Sequence, residues 1–90
     1  MGRTHEEQLV LIKDLDAASD KVTVGATYYH YKNNNKVYQV VGLGFLEASD
    51  ELCVIYTAQY GKGLTFIRLL SVWLETLDWN GKIVQRFTKL

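Results

Sequence analysis

Residues 74–87 read Leu74-Glu75-Thr76-Leu77-Asp78-Trp79-Asn80-Gly81-Lys82-Ile83-Val84-Gln85-Arg86-Phe87. The Asn80-Gly81 pair between two strand-like runs predicts a two-residue hairpin of type I′. Both central positions of that turn need positive φ, which asparagine and glycine tolerate. Counting outward pairs Trp79 with Lys82, Asp78 with Ile83, Leu77 with Val84, Thr76 with Gln85, Glu75 with Arg86 and Leu74 with Phe87. Side chains alternate between faces. Glu75, Leu77 and Trp79 therefore share one face with Arg86, Val84 and Lys82. This register joins the Glu75 and Arg86 charges, lays Lys82 along Trp79, leaves Asp78 wet at the tip and points Leu74 with Phe87 into the core.

Upstream of the hairpin the chain alternates strand-like runs with turns. Residues 22–32 carry Val, Thr and Tyr almost continuously, which favours a strand. Asn33-Asn34-Asn35 suits a tight turn. Residues 36–46 form a second strand in which Gly42 and Gly44 mark a bend or bulge. Residues 51–60 form a third, with Leu52, Val54, Tyr56, Ala58 and Tyr60 on one face and Cys53, Ile55, Thr57 and Gln59 on the other. Apolar groups on both faces through Ile55 predict a central strand. Gly61-Lys62-Gly63 is a loop, residues 64–70 a fourth strand, and 71–73 a short helical turn. Near the start, Thr4-His5-Glu6-Glu7 reads as a capping box. Leu11, Ile12 and Leu15 then recur at helical spacing, predicting a helix over 5–16; a strand through Leu9-Val10-Leu11-Ile12 competes. The sum is a mainly β domain: an antiparallel β roll or small SH3-like barrel of five to six short strands with an N-terminal helix. Residues 1–20 are a helical extension and 21–90 the β roll.

Ninety residues make one domain with room for one modest core. Ten basic residues balance ten acidic ones, unlike a strongly basic nucleic-acid binder. The balance is uneven, since residues 1–20 hold two basic against five acidic groups, while 61–90 hold five basic against two acidic. An acidic segment near a basic one, within the chain or across a dimer, follows as an expectation. Cys53 is the lone cysteine and reads as a small buried hydrophobe. No run reaches membrane-span length, and the acidic, polar start is unlike a signal peptide. A cytoplasmic setting is the expectation.

Four ordered blocks carry a resemblance. Tyr28-Tyr29-His30-Tyr31-Lys32, Tyr38-Gln39-Val40-Val41-Gly42 and Val54-Ile55-Tyr56-Thr57-Ala58-Gln59-Tyr60-Gly61 are three of them. Phe66-Ile67-Arg68-Leu69-Leu70-Ser71-Val72-Trp73-Leu74-Glu75 is the fourth, and Arg86-Phe87 closes the pattern. Together, over about residues 25–88, they resemble the domain-of-unknown-function family numbered 1653 (DUF 1653). The resemblance implies a compact SH3-type β roll and no known activity. The chain departs from the family pattern in places. Leu46-Glu47-Ala48-Ser49 stands where the family carries His-Ser-Glu-Thr, Gly61-Lys62-Gly63 replaces Gly-Asp-Gly, and Leu69 replaces a proline.

Chemistry is sparse. Ser49 or Ser71 with His30 makes no convincing nucleophile set, His5 and His30 are too few for a metal site, and neither glycine pair has the context of a phosphate loop. No cofactor and no metal are expected, and no catalytic residue is assigned. What stands out is aromatic and cationic. Tyr28, His30, Tyr56, Tyr60 and Arg68 are the candidate ligand-binding residues, because small β rolls bind extended peptides or single strands on such surfaces. Arg68 lies mid-strand between Phe66 and Leu70, so its charge needs solvent, a carboxylate or a ligand; Glu75 is the favoured carboxylate. The leading expectation is a non-catalytic binding module for a peptide or protein partner. The alternatives are a nucleic-acid-binding module, and a small enzyme or accessory subunit acting on a small molecule. A membrane partner is not expected, and a homo-oligomer is left open.

Overall fold

A computed structural model describes residues 7–90. Helix α1 (Gln8–Ser19) leads into strands β1 (Thr27–His30), β2 (Asn33–Leu46), β3 (Glu51–Ala58) and β4 (Thr65–Leu69). A single helical turn α2 (Leu70–Trp73) precedes β5 (Thr76–Trp79), β6 (Lys82–Gln85) and β7 (Phe87–Lys89). Five strands form an antiparallel sheet in the order β4-β3-β2-β1-β7, and β5 with β6 forms a separate hairpin. The domain is mainly β, as expected, but the described residues form seven strands rather than five or six. Arg86 makes the difference by dividing the last strand. Its amide donates to the Glu75 carbonyl and its carbonyl accepts from Tyr31. The chain thus leaves the hairpin and pairs with β1, placing Phe87 opposite His30.

The hairpin has the expected register, from Trp79 opposite Lys82 to Thr76 opposite Gln85. Asn80 and Gly81 adopt φ of 55° and 82°, as a type I′ turn needs. The continuation to Leu74 and Phe87 does not hold. Leu74 still belongs to the helical turn, its amide donating to the Leu70 carbonyl. Side chains there follow the helical period, so Trp73 faces Phe87 and Leu74 is exposed.

Other boundaries shift for local reasons. Helix α1 runs past the expected end at Asp16, since Ala17 and Ala18 are strong helix formers. The helix starts at Gln8 behind Glu7, and the expected capping box rests on Thr4, which lies outside the described residues. The first strand starts at Thr27 rather than 22, because Thr23–Gly25 turns and Gly25 donates to the Val40 carbonyl. The three asparagines belong to β2, and Tyr31-Lys32 makes the turn instead. There the His30 Nδ1 accepts the Lys32 amide and holds the corner. Strand β3 is interior, paired on both sides, but the middle of the sheet is β2, whose 14 residues reach β1 at one end and β3 along the other. Val41 is the extra residue of a bulge in β2, between Val40 opposite Tyr56 and Gly42 opposite Ile55.

One face of the sheet closes on α2 and the last strand. Val22, Tyr28, Val40, Val54, Tyr56, Trp73 and Phe87 form the buried core, with Ala26, Tyr38, Leu43 and Leu70 packed against it. Four of those seven are aromatic, and their rings meet edge to face except Trp73 on Phe87. Each such ring pair adds about 0.5–1.5 kcal/mol beyond area burial. Helix α1 contributes only Ala18 to the buried set. No helix among the described residues is long and apolar enough to cross a membrane.

Candidate functional site

Phe87 is shared by two hollows. The first, of about 260 Å³, is walled by Tyr38, Tyr56 and Phe87 and rimmed by His30, Lys32, Asn33, Lys36 and Arg68. Five strands build it, with Phe87 coming from β7. β4 supplies Arg68, β3 supplies Tyr56, β1 and the turn after it supply His30 and Lys32, and β2 supplies Asn33, Lys36 and Tyr38. Register brings them together, since Val40 opposite Tyr56 and Tyr56 opposite Phe66 put the β3 and β4 side chains on the core side.

Arg68 is the centre of the arrangement. Its Nε donates to the Tyr56 hydroxyl at 3.2 Å, and its guanidinium carbon lies 5.2 Å from the Phe87 ring centroid. The cation is therefore oriented by one hydrogen bond and one aromatic face. Glu75, its expected partner, instead takes Arg86 at 2.7 Å. Among the described residues Arg68 has no carboxylate partner, and no carboxylate lines the hollow. Its two terminal nitrogens remain free of protein hydrogen bonds among those residues.

Lys32 and Lys36 are exposed and add two mobile charges at the rim. The Lys36 ammonium lies 5.1 Å from the Tyr60 ring. His30 packs on Tyr31 and Phe87. Because its Nδ1 accepts from the Lys32 amide, the neutral ring carries its proton on Nε2. Burial, and then the charges of Arg68, Arg86 and Lys32, push its pKa below the ordinary 6.5. One oriented guanidinium, two exposed ammoniums and a neutral imidazole donor thus meet at one partly buried hollow in a chain of zero net charge.

Of the five sequence-named residues, His30, Tyr56 and Arg68 converge here. Tyr60 stands just outside, tied in through a 2.6 Å hydrogen bond between its hydroxyl and that of Tyr38. Burial first, then that bond, raises the Tyr38 phenol to about 12. Tyr28 does not join them. It is buried beyond Trp73, and its hydroxyl accepts the Thr23 amide at 2.9 Å. There it lines the second hollow, about 270 Å³, with Thr23, Trp73, Gln85, Phe87 and Lys89 among its walls. Sequence reasoning missed Lys32 and Lys36 as site residues because they read as the ends of two strands flanking the asparagine turn. Their signal was the placing of two lysines among tyrosines between residues 28 and 38. Ser49 and Ser71 lie together on another depression without a histidine. Among the described residues no group of three metal-ligating side chains is present.

A family model described as a protein of unknown function (DUF1653) matches residues 26–89, which span every residue of the Arg68 hollow. A crystal structure of a DUF1653 protein from Bordetella bronchiseptica is similar at a TM-score of 0.65 and 35% identity, over 73% of this chain and 85% of that one. No curated protein matches.

Proposed function

The chain belongs to the DUF1653 family of proteins of unknown function, and we propose from the Arg68 hollow that it is a cytoplasmic, non-catalytic module that binds an acidic peptide segment of a protein partner. The observation that carries this reading is the setting of Arg68: oriented, half-buried, without a carboxylate partner among the described residues, and on an open strand. β4 is an edge of the five-stranded sheet, and among the described residues its free side has no backbone partner. Phe66 and Ile67 are exposed along it.

An extended peptide added to such an edge gains main-chain hydrogen bonds, and its alternate side chains reach the pockets beside it. An acidic side chain placed next to Arg68 would meet the guanidinium together with Lys32 and Lys36. An unpaired half-buried charge is costly, and a carboxylate or phosphate relieves that cost. The short α2 turn before the last hairpin fits an SH3-like roll, a scaffold suited to this use. The buried free thiol of Cys53 suits a reducing compartment.

The test is a fluorescence-anisotropy titration of the folded domain with acidic, neutral and basic versions of extended ten-residue peptide pools. Saturable binding of the acidic pool, weakened by Arg68→Lys and by added salt, is the expected result. Binding confined to single-stranded oligonucleotides would replace the peptide reading with nucleic-acid binding, and no binding by the acidic pool would overturn it.

A further inference from the structure

We infer that the Arg68 hollow takes a doubly charged phosphate monoester on a side chain of the docked peptide, in preference to a carboxylate. The inference rests on the peptide-binding reading above and goes further by naming the anion. Its ground is the count of charges and donors that meet in one place.

A carboxylate has one negative charge and two acceptor oxygens. The hollow presents three cations, Arg68, Lys32 and Lys36, with no acidic residue in its walls. One carboxylate would leave two of them unneutralised. The Arg68 guanidinium has spent Nε on Tyr56 and keeps both terminal nitrogens, a fork that matches two oxygens of one anion. The third oxygen of a phosphate is left for a lysine ammonium. The Nε2 proton of His30 adds a neutral donor from the β1 side. At about 260 Å³ the space also exceeds what a carboxylate head fills. The edge of β4 next to Arg68 supplies the route for the chain that carries the group.

The experiment compares three peptide pools that are identical except at the centre: phosphoserine, glutamate and serine. Calorimetry on the full chain should give the phosphoserine pool an affinity about tenfold or more above the glutamate pool, from one further charge-assisted hydrogen bond. Serine should bind weakest. The double variant K32A/K36A alters only exposed side chains, so its fold should persist. It should bring the phosphoserine pool down to the glutamate level. Equal binding of phosphoserine and glutamate pools overturns this inference and leaves the peptide reading standing. Failure of both pools overturns both. A mononucleotide that outcompetes the phosphoserine pool assigns the phosphate site to a small molecule and overturns the peptide-borne source.

Discussion

The Trp73 indole lies flat on the Phe87 ring, with centroids 3.8 Å apart and planes 7° from parallel. This contact joins α2 to β7, two elements that are not paired by backbone hydrogen bonds. Tyr28 and Tyr56 meet the indole edge-on, so the stack lies among the core aromatics. Phe87 also supports Arg68. Replacing Trp73 with Ala should cost about 3–5 kcal/mol in urea unfolding, because the surrounding rings cannot collapse into the space. Phe87→Ala should cost a similar amount and should also weaken anion binding. A loss below about 1 kcal/mol for either would mean the stack is not an organising part of the core.

The C-terminal turn should be sensitive at one atom. Gly81 has φ of 82°, where a β-branched residue is strained. Gly81→Val should lower stability by about 1 kcal/mol or more. Glu75→Gln, at a half-exposed ion pair with Arg86, should cost less than about 1 kcal/mol. Thermal or urea unfolding of the two variants checks the order, and a larger loss for Glu75→Gln would reverse the account.

Why was the hairpin legible to Thr76 and Gln85 and the site only in part? Asn80-Gly81 has few other backbone solutions, and a fixed turn fixes every pairing up to Thr76 and Gln85. Beyond that point the local rule met a competitor. The helical turn holds Leu74, so the period changes from two to 3.6 and Trp73 takes the core place that alternation gave to Leu74. The choice between Arg68 and Arg86 for Glu75 depended on pairing across the fold, which spacing along the chain does not encode. The backbone bond from Arg86 to Glu75 settles it for Arg86. Arg68, His30 and Tyr56 were readable as candidates because polar or aromatic side chains recur within apolar strands. Lys32 and Lys36 join them only through the corner that His30 holds, a tertiary fact.

A chain starting at Lys21 should unfold cooperatively and should keep the Arg68 hollow. Only Ala18 of α1 is buried, whereas Val22 is fully buried in the core. Isolated helices of this length are marginal without packing. The family match also begins after the helix. Circular dichroism melting should show a single transition, and removal of Val22 as well should lower the midpoint. A molten or insoluble product from the Lys21 start would place the helix in the core or in an interface.

One phenol should titrate late. Tyr38 is raised to about 12 by burial and by its hydrogen bond with Tyr60. A tyrosine ordinarily near 10 would lose its proton first in the unfolded chain, so the folded state holds more protons between those values. Stability should therefore fall as pH rises from about 10 towards 12. Absorbance titration of phenolate should show a late component that Tyr38→Phe removes, or unfolding before it appears. Tyr60→Phe removes the bond but leaves the burial, so the Tyr38 value should move only part of the way back. A full return would mean that the bond, and not burial, sets it.

His30 gives the domain a pH dependence of the opposite sense. Its folded pKa lies below 6.5, so below that value the unfolded chain binds the proton more readily. Its contribution to stability is complete above about 6.5 and is lost as pH falls through the folded value. Protonation also costs the Nδ1 acceptor that holds the Lys32 amide. An anion in the hollow should change this. Sulfate stays a dianion throughout this range, and its charge beside the imidazole would offset Arg68 and Lys32 and favour the protonated ring. The His30 midpoint, followed by NMR, should be below 6.5 in the free domain and rise when sulfate is added. By linkage, sulfate should bind more tightly as pH falls through that interval, and His30→Gln should abolish the added dependence. A midpoint at or above 6.5 without anion, or no movement with sulfate at concentrations that saturate Arg68, would separate His30 from the site.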